Sequence, residues 1–519
     1  MDDRAAIEVD PLVRVMLTIC VMMATVMQAL DTTIANVALP YMQGALSTTL
    51  DQVNWVLTSY IVAAAIMTSP IGWLSARFGR KKLFITCAAG FTVASMLCGA
   101  AQSIDQMVLF RLLQGVFGAA LVPLSQTVML DIYPPSRRGS AMAIWGMGVM
   151  LGPIMGPTLG GWLTDNYSWR WVFFVNLPFG VLTVLGLSAF MSESKTNRQV
   201  PFAWFGFLTL SLGIGALQMM LDRGEDQGWF GSTEIIIEAV LAAVGFYFFI
   251  ADSITSRRPF IPLGVFADWN FAIALIFMFL IGVILLATMA LVTPYLQNLM
   301  GYPVLASGML LGSRGLGTFF SMTVVGRLLA KIDARRLIFF GLLLSTISLW
   351  YMVYWSPQSS AESIALISIM QGVGLGFVFV PLNTLAFATL PAQLRTDATA
   401  MWTLIRNLGS SIGISIVIAR LTSMITTFHS QLAEQISPFN DALHAPGVAN
   451  ILSTKTDSGR AMLDGLLTQQ AAIMAYSNDF LLMTFVSLAA FPLLFMMRSS
   501  KAAANRPPSG RDGHAAVMD

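Results

Sequence analysis

"LLQGVFGAALVPL" runs from Leu112 to Leu124, and "IMQGVGLGFVFVPL" runs from Ile369 to Leu382. Both are long apolar stretches that share a Gln-Gly-Val step and end on Val-Pro-Leu. A second pair lies upstream of each. "GWLSARFGRKKLF" begins at Gly72 and "GRLLAKIDARRLI" at Gly326, each with a Leu two residues on, a small residue before a basic one, and a closing basic cluster. The two pairs are separated by nearly equal distances along the chain, so the sequence reads as a duplicated unit. Parallel repeats about an axis along the membrane normal are a transporter architecture, with the substrate site near the midplane between the halves.

Composition places those repeats in lipid. The chain has 519 residues, 56% hydrophobic and 11% charged, with a mean hydropathy of +0.72. A soluble domain carries about 25% charged residues, so this chain has too few to cover a watery surface. A net charge of +2 and the lack of a basic run argue against a nucleic-acid partner. Cys20, Cys87 and Cys98 lie in apolar segments, and His429, His444 and His514 are scattered. No metal-ligand spacing, nucleophile elbow or Walker-type loop is present. The expectation is a chain that is not an enzyme and holds no metal or cofactor.

A membrane-crossing helix needs about 20 mostly apolar residues. Fourteen segments qualify, near 13–39, 52–72, 82–101, 106–130, 139–163, 170–190, 202–221, 234–252, 270–297, 304–329, 336–355, 362–389, 398–427 and 478–497. The first is too long for a signal-peptide core and reads as a retained helix. With the N-terminus inside, every inner loop is basic, as in Arg77, Arg80, Lys81 and Lys82, or Arg327, Lys331, Arg335 and Arg336. The outer loops hold only Arg170, Arg223, Lys455 and Arg460. The expected fold is an all-α polytopic membrane protein with both termini cytoplasmic. Residues 13–190 form one six-helix bundle, 202–252 two extra linking helices, and 270–497 a second bundle. A long outer loop is expected at about 428–477, with helix-like stretches such as "SQLAEQI" and "AMLDGLLTQQAAIMAY", read either as a cap or as a docking surface, and a cytoplasmic tail at 498–519.

Several stretches resemble the major facilitator superfamily, and within it the fourteen-helix drug:proton antiporter branch of EmrB-like multidrug exporters. "LDTTIANVALP" is similar to that branch's first-helix motif, and "GWLSARFGRKK" to its loop motif. "RLLQGVFGAALVPL" is similar to its fourth-helix motif, and "GMGVMLGPIMGPTLGG" from Gly146 to its antiporter motif. "WRWVFFVNLP" from Trp169 recurs there too. The loop motif departs at Ala76, where many members carry Asp, which weakens the usual acid–base latch. The resemblance implies a bacterial inner-membrane transporter exchanging inward protons for outward hydrophobic compounds by alternating access. It also implies an EmrA-like periplasmic adaptor and a TolC-like outer-membrane channel. An exporter of one metabolite, lipid precursor or siderophore has the same fold, and a membrane sensor or scaffold is a rival of another class.

Physical reading of the motifs gives candidate roles. Gly72, Arg77, Gly79 and Arg80 form a turn between spans that can gate one conformation. Gly148, Gly152, Gly156 and Gly160 fall on one stripe, interrupted by Pro153 and Pro157. Such a stripe admits a close helix neighbour, serving tight packing alone or a bendable seam between moving parts. Asp31 and Arg111 lie about 14 Å and about 9 Å from the outer ends of their spans at 1.5 Å per residue, which makes them a natural pair. A charge at the bilayer centre costs at least about 2.5 kcal/mol, so neither should face lipid. The pair is either a static salt bridge or a proton-linked switch, since burial disfavours a charged carboxylate and a nearby guanidinium favours it. Asp31 is the one acid this span count places well inside a helix. Arg314 and Arg406 lie deep in the second half without an acid at hand. Either carbonyls and amides such as Asn383 or Asn407 satisfy them, or they make a positive cavity suited to anionic amphiphiles. Gln28, Asn36 and Gln114 are further candidates for lining that cavity.

Overall fold

The computed structural model describes residues 10–134, 137–193, 196, 201–256, 259–434, 436, 452 and 456–497, and among them there are helices and turns but no strand. Helix α1 is Pro11–Ala45; the Asp10 carboxylate accepts from the Leu12 N–H, and Pro11 at the first position has no N–H to satisfy. Helix α2 is Leu50–Thr68, opened by a capping box between Thr49 and Gln52. After a 59° bend it runs on as Ile71–Phe78. Gly79 then takes φ 88°, a left-handed conformation that a side chain disfavours, and so ends one helix and starts the next within a single residue. Helix α3 follows as Arg80–Ala100, α4 as Ile104–Ile132, α5 as Arg138–Asn166 and α6 as Trp171–Phe190. The α7–α8 pair is Trp204–Arg223 and Thr233–Thr255. The second half holds α9 (Trp269–Leu299), α10 (Val304–Leu328), α11 (Ala334–Met352), α12 (Ala361–Ala386), α13 (Arg395–Ala433) and α14 (Asp457–Met496).

The sequence repeat returns as a packing repeat. In the first half α1 packs on α4, α5 and α6, α2 on α4, and α3 on α4 and α6. In the second half α9 packs on α12, α13 and α14, α10 on α12, and α11 on α12 and α14. The Gln-Gly-Val step explains one of these contacts in each half. A Cβ on Gly115 would overlap the Tyr60 carbonyl of α2, and one on Gly372 would overlap the Arg314 carbonyl of α10. Only glycine lets α4 and α12 approach their partners' backbones that closely.

The two halves meet unevenly. One large hydrophobic core joins them at the end that carries Gly72–Arg80, with Phe84, Met129 and Trp145 from the first half and Phe271, Phe379 and Trp402 from the second. At the opposite end each half keeps its own core, around Ile34, Val56 and Trp169 in one and Tyr295, Trp355 and Phe480 in the other. The gap beside α2 and α13 at that end is bridged by α7. Asp222 accepts a hydrogen bond from the Thr58 hydroxyl of α2, and the Leu221 carbonyl accepts one from Ser415 of α13 at 3.0 Å.

Three expectations change. Twelve of the fourteen helical segments are long and apolar enough to cross a membrane, and the bent α2 makes thirteen. Helix α10 falls below that apolarity because Arg314 and its Gly and Ser residues dilute it. The helix-like stretches read within the outer region at 428–477 belong to long helices: α13 continues to Ala433 and α14 already starts at Asp457. His429 and Asp464 tie these two extensions together at 2.9 Å. The fourteenth helix therefore begins about 20 residues before 478, at about 1.5 Å per residue a difference of roughly 30 Å. The expected tail at 498–519 lies outside the described residues.

Candidate functional site: buried charges and a closed end

Asp31 and Arg111 meet in the interior of the first half. Arg111 Nη1 donates to Asp31 Oδ2 at 2.7 Å, and both side chains are buried. The pairing is over-determined by neighbours. Gln114 Nε2 and Asn176 Nδ2 both donate to Asp31 Oδ1, at 2.8 and 3.1 Å. Arg111 also donates from Nε to the Val56 carbonyl at 3.0 Å and from Nη1 to Gln114 Oε1 at 2.8 Å. Its guanidinium lies over the Tyr60 ring at 4.3 Å and near the Phe173 ring at 5.6 Å. Helices α1, α2, α4 and α6 each contribute, so any change of charge on Asp31 bears on how four helices sit.

The other candidate lining residues separate. Gln114 is fully buried and both ends of its amide are engaged, so it belongs to the Asp31 network and does not line a cavity. Gln28 is half-buried and donates to the Tyr60 hydroxyl at 3.3 Å, one residue removed from Arg111. Asn36 is exposed.

Arg314 and Arg406 converge on α9. Arg314 Nη2 donates to the Leu285 carbonyl at 3.4 Å, and the Arg406 backbone crosses α9 at Gly282, where a Cβ would overlap its carbonyl. Arg406 Nη2 donates to Asn407 Oδ1 at 3.3 Å. Neither has an ion-pair partner among the described residues. A carbonyl and an amide thus satisfy part of each guanidinium, through long bonds, while Asn383 is engaged elsewhere.

Its partner is Gln126, whose Nε2 donates to Asn383 Oδ1 at 2.7 Å. This bond joins α4 to α12 across the two halves. Thr127 and Thr399 share a hydroxyl bond at 2.8 Å beside it, and Trp145 stacks on Phe379 with centroids 6.0 Å apart. Nearer the end of the molecule, Asp131 bridges the halves. It pairs with Arg80 of the first and with Arg395 of the second, the latter at 2.7 Å. Gly72 admits the Asp397 carboxylate of α13 against its Cα, which a Cβ would forbid. Arg77 lies over the Trp73 ring at 5.5 Å. Acids thus reach the Gly72–Arg80 turn from Asp131 and Asp397, where Ala76 offers none. Asp131 was visible in the sequence as an acid near a span end, but nothing local tied it to Arg395, 264 residues away.

The glycine stripe turns out to face its own half. Gly148 meets Met22, Gly152 the Ala29 carbonyl, Gly156 Thr33 and Gly160 Ile34, all on α1. Thr33 Oγ1 also donates to the Gly152 carbonyl at 2.9 Å. Helix α5 continues through both Pro153 and Pro157. The seam between the halves lies on another face of α5, where Ile154 and Thr158 meet Gly315 and Gly308 of α10.

Two six-helix repeats that share one core at one end and keep separate cores at the other, with paired charges buried inside, define a polytopic membrane transporter. The Major Facilitator Superfamily model matches residues 21–414, and the chain belongs to that family. It is 37% identical over 429 residues to the multidrug export protein EmrB of Escherichia coli strain K12, covering 82% of this chain and 84% of that one. It is 32% identical over 502 residues to the fatty acid resistance protein FarB of Neisseria gonorrhoeae, covering 96% and 97%. Among solved structures, the proton:xylose symporter XylE matches with a TM-score of 0.57 at 13% identity, over 91% of this chain and 94% of that chain, which bears on the fold alone.

Proposed function

We propose that this chain is a proton-coupled secondary transporter that exports hydrophobic and amphiphilic compounds across the bacterial inner membrane by alternating access. The observation that carries this reading is the uneven meeting of the halves. A single shared core with the Asp131 bridge closes one end, and two separate cores mark the other. The basic residues of the Gly72–Lys82 turn make the closed end cytoplasmic by the positive-inside rule, so the state described is closed to the cytoplasm. Fourteen spans with both termini inside are consistent with it. Export is favoured by the relatives EmrB and FarB, which are named for multidrug export and fatty-acid resistance. The helical extensions of α13 and α14, tied by His429 and Asp464, offer a place for a periplasmic adaptor of the EmrA type that leads to a TolC-like channel.

Within this scheme Asp31 and Arg111 are the coupling pair. Protonation of Asp31 removes its charge from Arg111 and loosens a network that four helices share. Arg314 and Arg406 supply positive charge to the second half without a counter-ion among the described residues, which suits acidic amphiphiles.

The test is efflux from proteoliposomes under an imposed pH gradient, with acidic, neutral and cationic compounds in parallel. Transport of unrelated compounds that compete with one another, driven by the gradient, is expected. Transport of one compound alone would favour a dedicated exporter, and no transport would leave a sensor or scaffold. In the same assay Arg314→Gln or Arg406→Gln is expected to weaken acidic substrates about tenfold more than cationic ones, the worth of one charge-assisted hydrogen bond at about 1.4 kcal/mol per decade. Equal losses for both classes would remove the arginines from selectivity.

A further inference from the structure

The second half carries a buried acid in a very different condition from Asp31. Asp479 of α14 is fully buried, yet neither of its carboxylate oxygens has a hydrogen-bond partner among the described residues. Arg420 of α13 stands closest, with Nε 3.2 Å from Oδ1 but out of line for a hydrogen bond, and its own side chain is 37% exposed. The remaining surroundings are apolar or aromatic. Phe480 and Met483 belong to the same core, and Tyr476 lies on the same helix one turn away. Helix α9 brings Tyr295, whose ring meets Tyr476 at 5.3 Å and whose hydroxyl is itself buried without a partner. Helix α11 packs on α14 through Thr346 and Ser487, and its Tyr351 lies on the exposed side near Thr484 and Leu488.

A buried charge without hydrogen bonds is costly, and a carboxylate can shed that cost by taking up a proton. Asp31 has no such need, because three donors hold both its oxygens. A proton on Asp31 has to displace a donor, whereas a proton on Asp479 displaces nothing and leaves Arg420 free to turn toward solvent. Asp479 also sits beside the separate core of the second half, at the end away from the shared core, next to an arginine whose side chain is partly exposed.

We propose that Asp479, with Arg420 as its gatekeeping cation, is a second proton-binding site of this transporter, separate from the Asp31 network and located in the other half. It binds one proton from the end at which the halves keep separate cores. The ion pair then becomes a neutral acid beside a free guanidinium, and the proton leaves when the pair re-forms. This rests on the proton-coupled reading above.

The experiment is an infrared pH titration of the full chain in lipid, followed at the carbonyl stretch of protonated carboxylic acids, without any transport substrate. A band from a buried protonated acid is expected in the unaltered protein. It should be lost in Asp479→Asn and kept in Asp31→Asn. In Arg420→Gln the band should persist to higher pH, with proton affinity raised about tenfold or more by loss of the neighbouring cation. A band that survives in Asp479→Asn overturns the proposal, and so does a midpoint that does not move in Arg420→Gln, which also decides the matter if Asp479→Asn fails to fold. Gradient-driven efflux measured alongside keeps the two readings apart. If efflux ignores the gradient but the titration behaves as described, the coupling scheme fails while the proton site stands.

Discussion

At the scale of single residues, a buried acid's meaning depends on its donors. Asp31 has three donors and Asp479 has none among the described residues, and sequence spacing alone does not tell them apart. The Asp31–Arg111 pair was legible because helix rise gives depth and both residues lie in well-bounded apolar runs. Its partner Asn176 was hidden in a recurring aromatic stretch, since nothing in "FFVNLP" says which way the amide points. Asp479 was missed for a definite reason. The helix that carries it starts in polar sequence, so hydropathy put its beginning at 478 and made a deep residue look terminal. Because Arg111 is fully buried, Asp31→Ala leaves an uncompensated charge, which costs about 3–5 kcal/mol. The expected outcome is a clearly lower unfolding temperature in detergent. Asp31→Asn keeps an acceptor for Gln114 or Asn176, and should fold better while losing the pH-gradient dependence of efflux. Gradient dependence that survives in Asp31→Asn would make the pair a static brace.

At the scale of helices, the glycine-rich run of α5 shows how far spacing carries. A four-residue glycine period states that another helix comes close but does not name it, because both α1 and α10 flank α5. The side chains of α1 decide it, as Ala29, Thr33 and Ile34 fill the groove and Thr33 bonds across it. The stripe therefore fastens α5 to its own bundle, so that the two move as one body, and the sliding seam lies on the Ile154–Thr158 face. Neighbouring glycines on the same helix give a controlled comparison. Gly152→Ala puts a Cβ into the Ala29 carbonyl and should cost about 1–3 kcal/mol through overpacking. Gly161→Ala meets only Val37 at 4.0 Å and should be neutral. Thermal unfolding of the two variants checks this, and equal stability would mean that α1 and α5 separate freely.

At the scale of the whole molecule, the contacts that close one end form a graded series from the centre outward. Gln126–Asn383 and Thr127–Thr399 lie deepest, the Trp145–Phe379 stack beside them, and the Asp131 bridge to Arg80 and Arg395 nearest the end. The outermost layer is ionic and partly exposed, so it is screened by salt and individually weak. The inner layers are buried and hold only while the outer one keeps the halves aligned. Asp131 is the natural point of failure, because it is the single acid shared by two arginines from different halves. Replacing it leaves Arg80 and Arg395 facing one another as like charges, which turns an attraction into a repulsion across the seam. Asp131→Asn is therefore expected to shift the population toward a state open at this end. Thr127→Cys reports it, since Thr127 is fully buried behind the bridge and the native Cys20, Cys87 and Cys98 are buried too. Labelling of that thiol by a polar maleimide should accelerate about fivefold or more in the Asp131→Asn background, corresponding to about 1 kcal/mol of lost closure. It should also accelerate with added salt in the Asp131 protein and slow with added salt in the variant, where screening relieves the repulsion. A labelling rate that Asp131→Asn leaves untouched would show that the inner, uncharged layers alone hold the halves together.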